Sequence, residues 1–178
     1  MKKEVTFGEL RKFNLLMVLL HFLQGCLILA LSKGFSLPVS GDYLTFNQST
    51  QSLDPASAVL FHVSVPLLIA LFLFMSAAAH LFIATVYNKR YNADLAKGIN
   101  RARWVEYAFS AGTMMVAIAL LVGVYDFVSL LCIFALVAIM NLLGLVMEIH
   151  NQTTKKTSWI SYYIGCLAGA IPWIAVAF

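Results

Sequence analysis

Residues Trp104 to Met147 read WVEYAFSAGTMMVAIALLVGV, then YD, then FVSLLCIFALVAIMNLLGLVM. Each apolar run has about the 20 residues that cross a hydrocarbon core of about 30 Å as a helix, and only Tyr125 and Asp126 separate the two. Lipid leaves a single span no other way to pair its backbone groups, so both runs are helices and together form a tight antiparallel hairpin with Asp126 at the turn. Outward from this hairpin, three further runs of the same kind stand at Phe13 to Leu31, Val63 to Tyr87 and Ser161 to Phe178. With Trp104 to Val124 and Phe127 to Met147 they give five spans. The fold class is an all-α membrane protein, a transmembrane helix bundle forming one domain over 1–178. The last run stops on Ala-Val-Ala-Phe with no polar tail, which leads us to expect the first part of a longer protein, incomplete at its C-terminus.

Composition points the same way. The chain is 61% hydrophobic and 11% charged, with a mean hydropathy of +0.86, whereas soluble domains are about half apolar and about a quarter charged. Its net charge of +4 does not indicate nucleic acid, because the basic residues alternate with apolar stretches and form no single patch. Cys26, Cys132 and Cys166 sit inside apolar runs without CxxC spacing, so they form neither a disulfide framework nor a zinc site and read as small core residues.

Basic residues also orient the bundle. One set of segments holds Lys2, Lys3, Arg11 and Lys12, then Lys89, Arg90, Lys97, Arg101 and Arg103, then Lys155 and Lys156, while the opposite set holds Lys33 alone. Short Lys/Arg-rich segments stay cytoplasmic, which places the N-terminus in the cytoplasm of a multi-pass membrane protein. The tail with Lys2, Lys3, Glu4, Glu9, Arg11 and Lys12 has the look of a signal peptide, but the run after it contains His21 and Gln24 and lacks a small-residue cleavage site. It is read as a retained span. The outer loop, Ser32 to His62, has turn chemistry at Pro38, Ser40-Gly41-Asp42 and Asp54-Pro55 and strand-like alternation at Tyr43 to Phe46, so a short β-ribbon is expected. It is either a plain surface loop or a cap or dimer contact.

Ionisable groups inside spans are expensive, and each is a functional candidate. His21, His80 and Glu106 lie on three different spans yet all in the cytoplasmic half, His21 about 12 Å and His80 about 10 Å from that boundary at about 1.5 Å per residue. Gln24 and Ser76, each about a turn away, extend the same faces inward. Two readings stand. The residues share a polar cavity, or the histidines are packing groups with satisfied hydrogen bonds and Glu106 reaches the interface or pairs with Arg103. Glu148 and His150 read as interfacial, and Asn141 as a buried amide bonding across helices. Tyr107, Met114, Met115, Met140 and Trp173 form an aromatic and methionine lining that suits packing or a long apolar cofactor.

The segment Arg103-Trp104-Val105-Glu106-Tyr107 resembles the signature of heliorhodopsins. His21-Phe22-Leu23-Gln24, the stretch Leu37 to Leu44 (LPVSGDYL), Ser76-Ala77-Ala78-Ala79-His80 and the stretch Ile164 to Ile174 (IGCLAGAIPWI) agree in order and spacing, so the resemblance runs nearly end to end. It implies a seven-helix rhodopsin-type bundle of inverted topology, with the five spans here as its N-terminal five. It further implies all-trans retinal as cofactor, bound as a protonated Schiff base, with Glu106 as the counterion. By the same resemblance His21, His80, Gln24 and Ser76 are the polar cavity that accepts the proton, and Tyr107, Ser110, Met114, Met140, Gly144 and Trp173 surround the polyene. The attachment lysine belongs to a seventh helix, and no lysine of this chain falls within an apolar run.

The function expected is therefore a light-sensing or signalling photoreceptor that does not pump ions and is not an enzyme, with no catalytic and no metal-binding residues. Its partners are retinal, the lipid bilayer, a second copy in a homodimer and a cytoplasmic protein, with no nucleic acid. Two other classes remain in view. One is a non-photoactive scaffold bundle, and the other a metal-dependent intramembrane hydrolase built on His21, His80 and Glu106.

Overall fold

The computed structural model describes residues 6–178; Lys2, Lys3 and Glu4 of the N-terminal charge set lie outside them. In chain order the elements are α1 (Phe7–Leu31), β1 (Ser36–Asn47), β2 (Ser52–Ser64), α2 (Val65–Ala84), α3 (Asn88–Ala96), α4 (Arg101–Leu121), α5 (Phe127–His150) and α6 (Ile160–Ala177). Five of them, α1, α2, α4, α5 and α6, are long and apolar enough to cross a membrane. They correspond one to one with the five apolar runs. Each packs on the next, α1 on α2, α2 on α4, α4 on α5 and α5 on α6.

Helix ends depart from the apolar runs wherever local chemistry, rather than hydropathy, sets the boundary. α1 begins at Phe7, not Phe13, because Thr6 and Glu9 form a capping box: Glu9 N–H donates to Thr6 Oγ1 at 3.2 Å and Thr6 N–H to Glu9 Oε2 at 2.9 Å. Lys12 therefore lies on a spanning helix, at its second turn and exposed. α2 begins at Val65, not Val63, because Val63 and Ser64 are paired in β2 with Leu37 and Ser36. It ends at Ala84, short of Tyr87. α4 starts three residues early, at Arg101, where Asn100 Oδ1 caps Arg103 N–H at 3.1 Å. Its last turn closes before Gly123, whose φ of 100° is a left-handed conformation that glycine adopts freely. Asp126 does mark the hairpin turn, as the N-cap of α5, with Ser129 N–H donating to its Oδ2 at 2.7 Å.

Two expectations need correction. The β-ribbon is not short: β1 and β2 have 12 and 13 residues and take up nearly the whole outer loop. Its base is anchored by Val39, which is buried with Met115, Ala119, Leu120 and Leu130, and by Ser40 N–H donating to Tyr125 O at 2.8 Å. A register shift between Val39 and Ser40 lets the ribbon turn from this anchor. The cysteines are not core residues, since Cys26, Cys132 and Cys166 are all free and exposed. An apolar run reports immersion in lipid, not which face turns inward.

Burial is distributed for an apolar solvent. Leu15, Leu16, Leu19, Phe22 and Leu23 are exposed on α1 while Asn14 is buried. Interfaces use small residues, Ala70, Ala77, Ala84, Ala108, Ala117 and Ala119 among the most buried, so backbones approach closely where lipid tails supply no hydrophobic drive.

Hydrogen bonds from Ser129, side chain first and then backbone, hold the Asp126 carboxyl below its ordinary 3.8. A depressed folded-state value means the unfolded chain binds the proton more readily, so this stabilisation is complete above about pH 4 and is lost as pH falls through the lower, folded value. In detergent micelles the thermal midpoint should therefore drop on acidification below pH 4, and Asp126→Asn should flatten that part of the profile. An unchanged acid limb in Asp126→Asn would remove Asp126 from the account.

Candidate functional site

The polar residues read from the three spans meet at the end of the bundle opposite the ribbon. On α1, Asn14 and His21 are two turns apart, and His21 and Gln24 about one, so they share a face. On α2, Ser76 and His80 are one turn apart. α4 brings Glu106. Ser76 Oγ donates to Glu106 Oε1 at 2.6 Å, joining α2 to α4. His80 Nδ1 lies 2.8 Å from Asn14 Oδ1, joining α2 to α1. The His21 and His80 rings stack with centroids 5.6 Å apart and planes 17° apart, and His21 Nδ1 is 3.3 Å from Gln24 Oε1.

His21, His80, Gln24, Ser76 and Glu106 thus form a polar set across three helices, in which the Ser76–Glu106 bond and the His80–His21–Gln24 contacts come one turn apart on α2, with no hydrogen bond between Ser76 and His80 among the described residues. Its two parts differ. Glu106 is a carboxylate with a neutral donor, while the histidine stack is a base. Two imidazolium charges at 5.6 Å would repel by about 3 kcal/mol at an effective dielectric constant of about 20.

Asn14 was missed by the sequence reading. Its relative exposure is 4%, and its signal was its place seven residues before His21, on the same helical face. The pairing of Glu106 with Arg103 does not occur. Arg103 Nη2 instead binds Glu148 Oε1 at 3.1 Å, and Glu148 Oε2 accepts Asn100 N–H at 2.7 Å. Glu148 therefore ties α4 to α5. Asn141 does bond across helices, donating to Tyr107 O at 3.4 Å as well as to Val137 O at 2.9 Å. At the same end, burial and then a hydrogen bond to Asp94 push the Tyr87 phenol above its ordinary 10.0.

The six residues that the resemblance places around the polyene are spread over α4, α5 and α6. Tyr107, Ser110 and Met114 lie along one stripe of α4, with Ser110 buried and the other two exposed. Met140 packs under Gly165 and Gly169 of α6. Gly144 faces the Trp104 indole, against which an added Cβ would lie 2.5 Å from the ring. Trp173 is exposed on α6. Glu106 also opens on its other side to an apolar groove of about 450 Å³ between α2 and α4, with Met75, Ala79, Phe82 and Val105 in its walls. Trp104 Nε1 is buried and finds no acceptor among the described residues. No three His, Cys, Asp or Glu side chains among them are arranged to hold a metal ion, so His21, His80 and Glu106 do not form the donor set a hydrolase of that kind needs.

A family model described as Heliorhodopsin matches residues 10–178. The chain belongs to the heliorhodopsin family. It is accordingly a multi-pass membrane protein of the rhodopsin type, a photoreceptor family with retinal as its chromophore. No curated protein matches this heliorhodopsin. Its residues fit retinal on one side only. Glu106, with the Ser76 donor and an apolar groove beside it, suits a cationic, apolar ligand. On the amine side, Lys12 is the lone lysine of the five spanning helices among the described residues, and it is exposed at the second turn of α1.

Gly144→Ala tests the α4 to α5 contact that carries Glu106. Alanine gains about 1 kcal/mol of helix propensity, but its Cβ would meet three indole atoms at 2.5 to 2.8 Å, and overpacking of this kind costs about 1–3 kcal/mol. A lower thermal midpoint with altered tryptophan emission is expected. A stabilised variant with unchanged emission would show that the indole is free to move.

Proposed function

We propose that this heliorhodopsin senses light without pumping ions, with Glu106 as the counterion of the retinal Schiff base and His21, His80, Gln24 and Ser76 as the cavity that accepts and holds the proton. The observation that carries this reading is the placing on α2 of the Ser76–Glu106 hydrogen bond and, one turn on, the His80–His21 stack, which brings a carboxylate and a histidine pair to the same end of three helices. Retinal, when bound, supplies a light-absorbing polyene and a positive charge at its attachment. The chain's own part is electrostatic and protonic. Glu106 Oε1, fixed by the Ser76 hydroxyl, presents negative charge to that cation, since a buried cation is tolerated only when paired. Imidazole suits a group that takes and returns a proton near neutral pH.

Tyr107, Ser110, Met114, Met140, Gly144 and Trp173 are the proposed surroundings of an all-trans polyene. The whole of 1–178 is one membrane domain with a cytoplasmic N-terminus, in keeping with Arg11, Arg101 and Arg103 at the polar set's end of the bundle. Ion pumping is disfavoured because the carboxylates of the spanning helices among the described residues, Glu9, Glu106 and Glu148, all lie in the half away from the ribbon. They continue no proton path toward the other side. A homodimer and a cytoplasmic protein partner are the proposed routes by which a charge movement is read out. In this reading the protein is not an enzyme.

The test is an absorption spectrum of retinal-supplied protein, prepared both as this chain and as the whole gene product. A visible band displaced by Glu106→Gln, and displaced less by Ser76→Ala, is expected. Intact helical protein with no band in either preparation would overturn the photoreceptor reading and leave a scaffold bundle.

A further inference from the structure

The contact between Asn14 and His80 fixes more than a distance. Asn14 Nδ2 donates to Leu10 O at 3.0 Å, and a backbone carbonyl only accepts. The amide end facing Leu10 must therefore be the NH2 group, and the end facing His80 must be the oxygen. That oxygen cannot donate, so the ring nitrogen 2.8 Å from it has to carry hydrogen. We propose that Asn14 is a positioning residue that holds His80 as the Nδ1–H tautomer, leaving Nε2 as the one atom at which His80 gains or loses a proton. This rests on the reading of the histidine pair as the proton-accepting cavity, and it gives that cavity a direction.

The surroundings are consistent with a fixed tautomer. Asn14 is buried, and one turn before it Arg11 Nε donates to Ala84 O at 2.9 Å, locking α1 to the end of α2 just beyond His80. The groups facing His80 are Asn14 and His21 from α1, Ser76 one turn back on its own helix, and Glu106 from α4. Among them the sole amide is Asn14. His21 meets Gln24 at 3.3 Å on an exposed stretch, a looser contact, so the two rings of the stack are unequal. His80 keeps one hydrogen in place through Asn14 while Nε2 exchanges. A proton added at Nε2 leaves both nitrogens as donors, and the bond to Asn14 is made in both states. The ring therefore takes up and returns a proton without turning over.

The test reads tautomers directly, without retinal. In histidine-15N-labelled protein in lipid nanodiscs, with the His80 signals assigned by their loss in His80→Gln, we expect Nδ1 protonated and Nε2 bare at high pH. Nε2 alone should then change as pH falls. Asn14→Asp, whose carboxylate accepts on both oxygens, should keep this pattern, and Asn14→Leu should convert it to a mixture of tautomers. A wild-type His80 with hydrogen on Nε2 at high pH would overturn the proposal, as would an Asn14→Leu protein with the wild-type pattern. If Asn14→Leu does not fold, the wild-type and Asn14→Asp spectra decide. Failure of the photoreceptor reading shows separately, as absence of a visible band in retinal-supplied protein, and leaves the tautomer result standing.

Discussion

Hydrocarbon offers no hydrogen bonds, and that constraint decides where each polar side chain of this bundle can go. An unsatisfied polar group in the membrane core costs several kcal/mol by order of magnitude, whereas a bond made between helices returns about 0.6 to 2 kcal/mol. The asymmetry makes the bonds devices of specificity. Asn14 donates to Leu10 O within α1 and accepts from His80 on α2; Asn141 donates within α5 and to α4. Thr113, half-buried, returns its hydroxyl to Phe109 O in its own helix. A helix slipped by one residue would break these pairs without gaining others, so the polar groups hold the register that the apolar surfaces leave loose.

Close approach is what lets short polar side chains reach one another. Gly25 lies under the Phe74 ring, Gly112 under Phe134 and Gly144 under Trp104, each so near that a methyl group would collide. α1 and α2 meet through the first of these contacts, and the stacked histidines and the Asn14 amide lie along the same interface. α4 and α5 meet through the other two, and the same seam is closed at its far end by Glu148. The glycines thus serve the site through distance. Between α2 and α4, where none of these three glycines lies, the Ser76 hydroxyl reaches Glu106 at 2.6 Å.

The number of spans, the hairpin at Asp126 and the family were legible because each rests on a pattern that depends on one helix at a time: run length, a turn residue, a contiguous motif. The convergence of His21, His80 and Glu106 was legible from depth alone, even though α1 begins two turns earlier than its apolar run suggests. What was not legible depends on pairs of helices. Asn14 lies near the end of α1, where a polar residue reads as interfacial until its burial against α2 is seen. The exposure of the three cysteines could not be inferred, since an apolar run has no contrasting polar face to mark inside from outside. The ribbon's length escaped because only Tyr43 to Phe46 alternate cleanly, while the strands are sustained by pairing across Pro38, Gly41 and Pro55.

The two carboxylates at this end of the bundle show how charge has been divided. Arg103 is three residues before Glu106 on α4, close enough for an ion pair along the helix, and such a pair would have neutralised Glu106 within its own element. Instead the guanidinium lies over the Trp104 ring at 4.4 Å and reaches Glu148. Glu148 also accepts a backbone N–H, so its oxygens are both engaged and its role is to hold α4 against α5. Glu106 is left with a neutral serine donor and no ion pair among the described residues, facing the histidine pair on one side and an apolar groove on the other. A carboxylate placed that way is costly unless a cation completes it. The arginine that could have done so is committed elsewhere, an arrangement in keeping with the proposed role of Glu106 as counterion to a bound cationic chromophore.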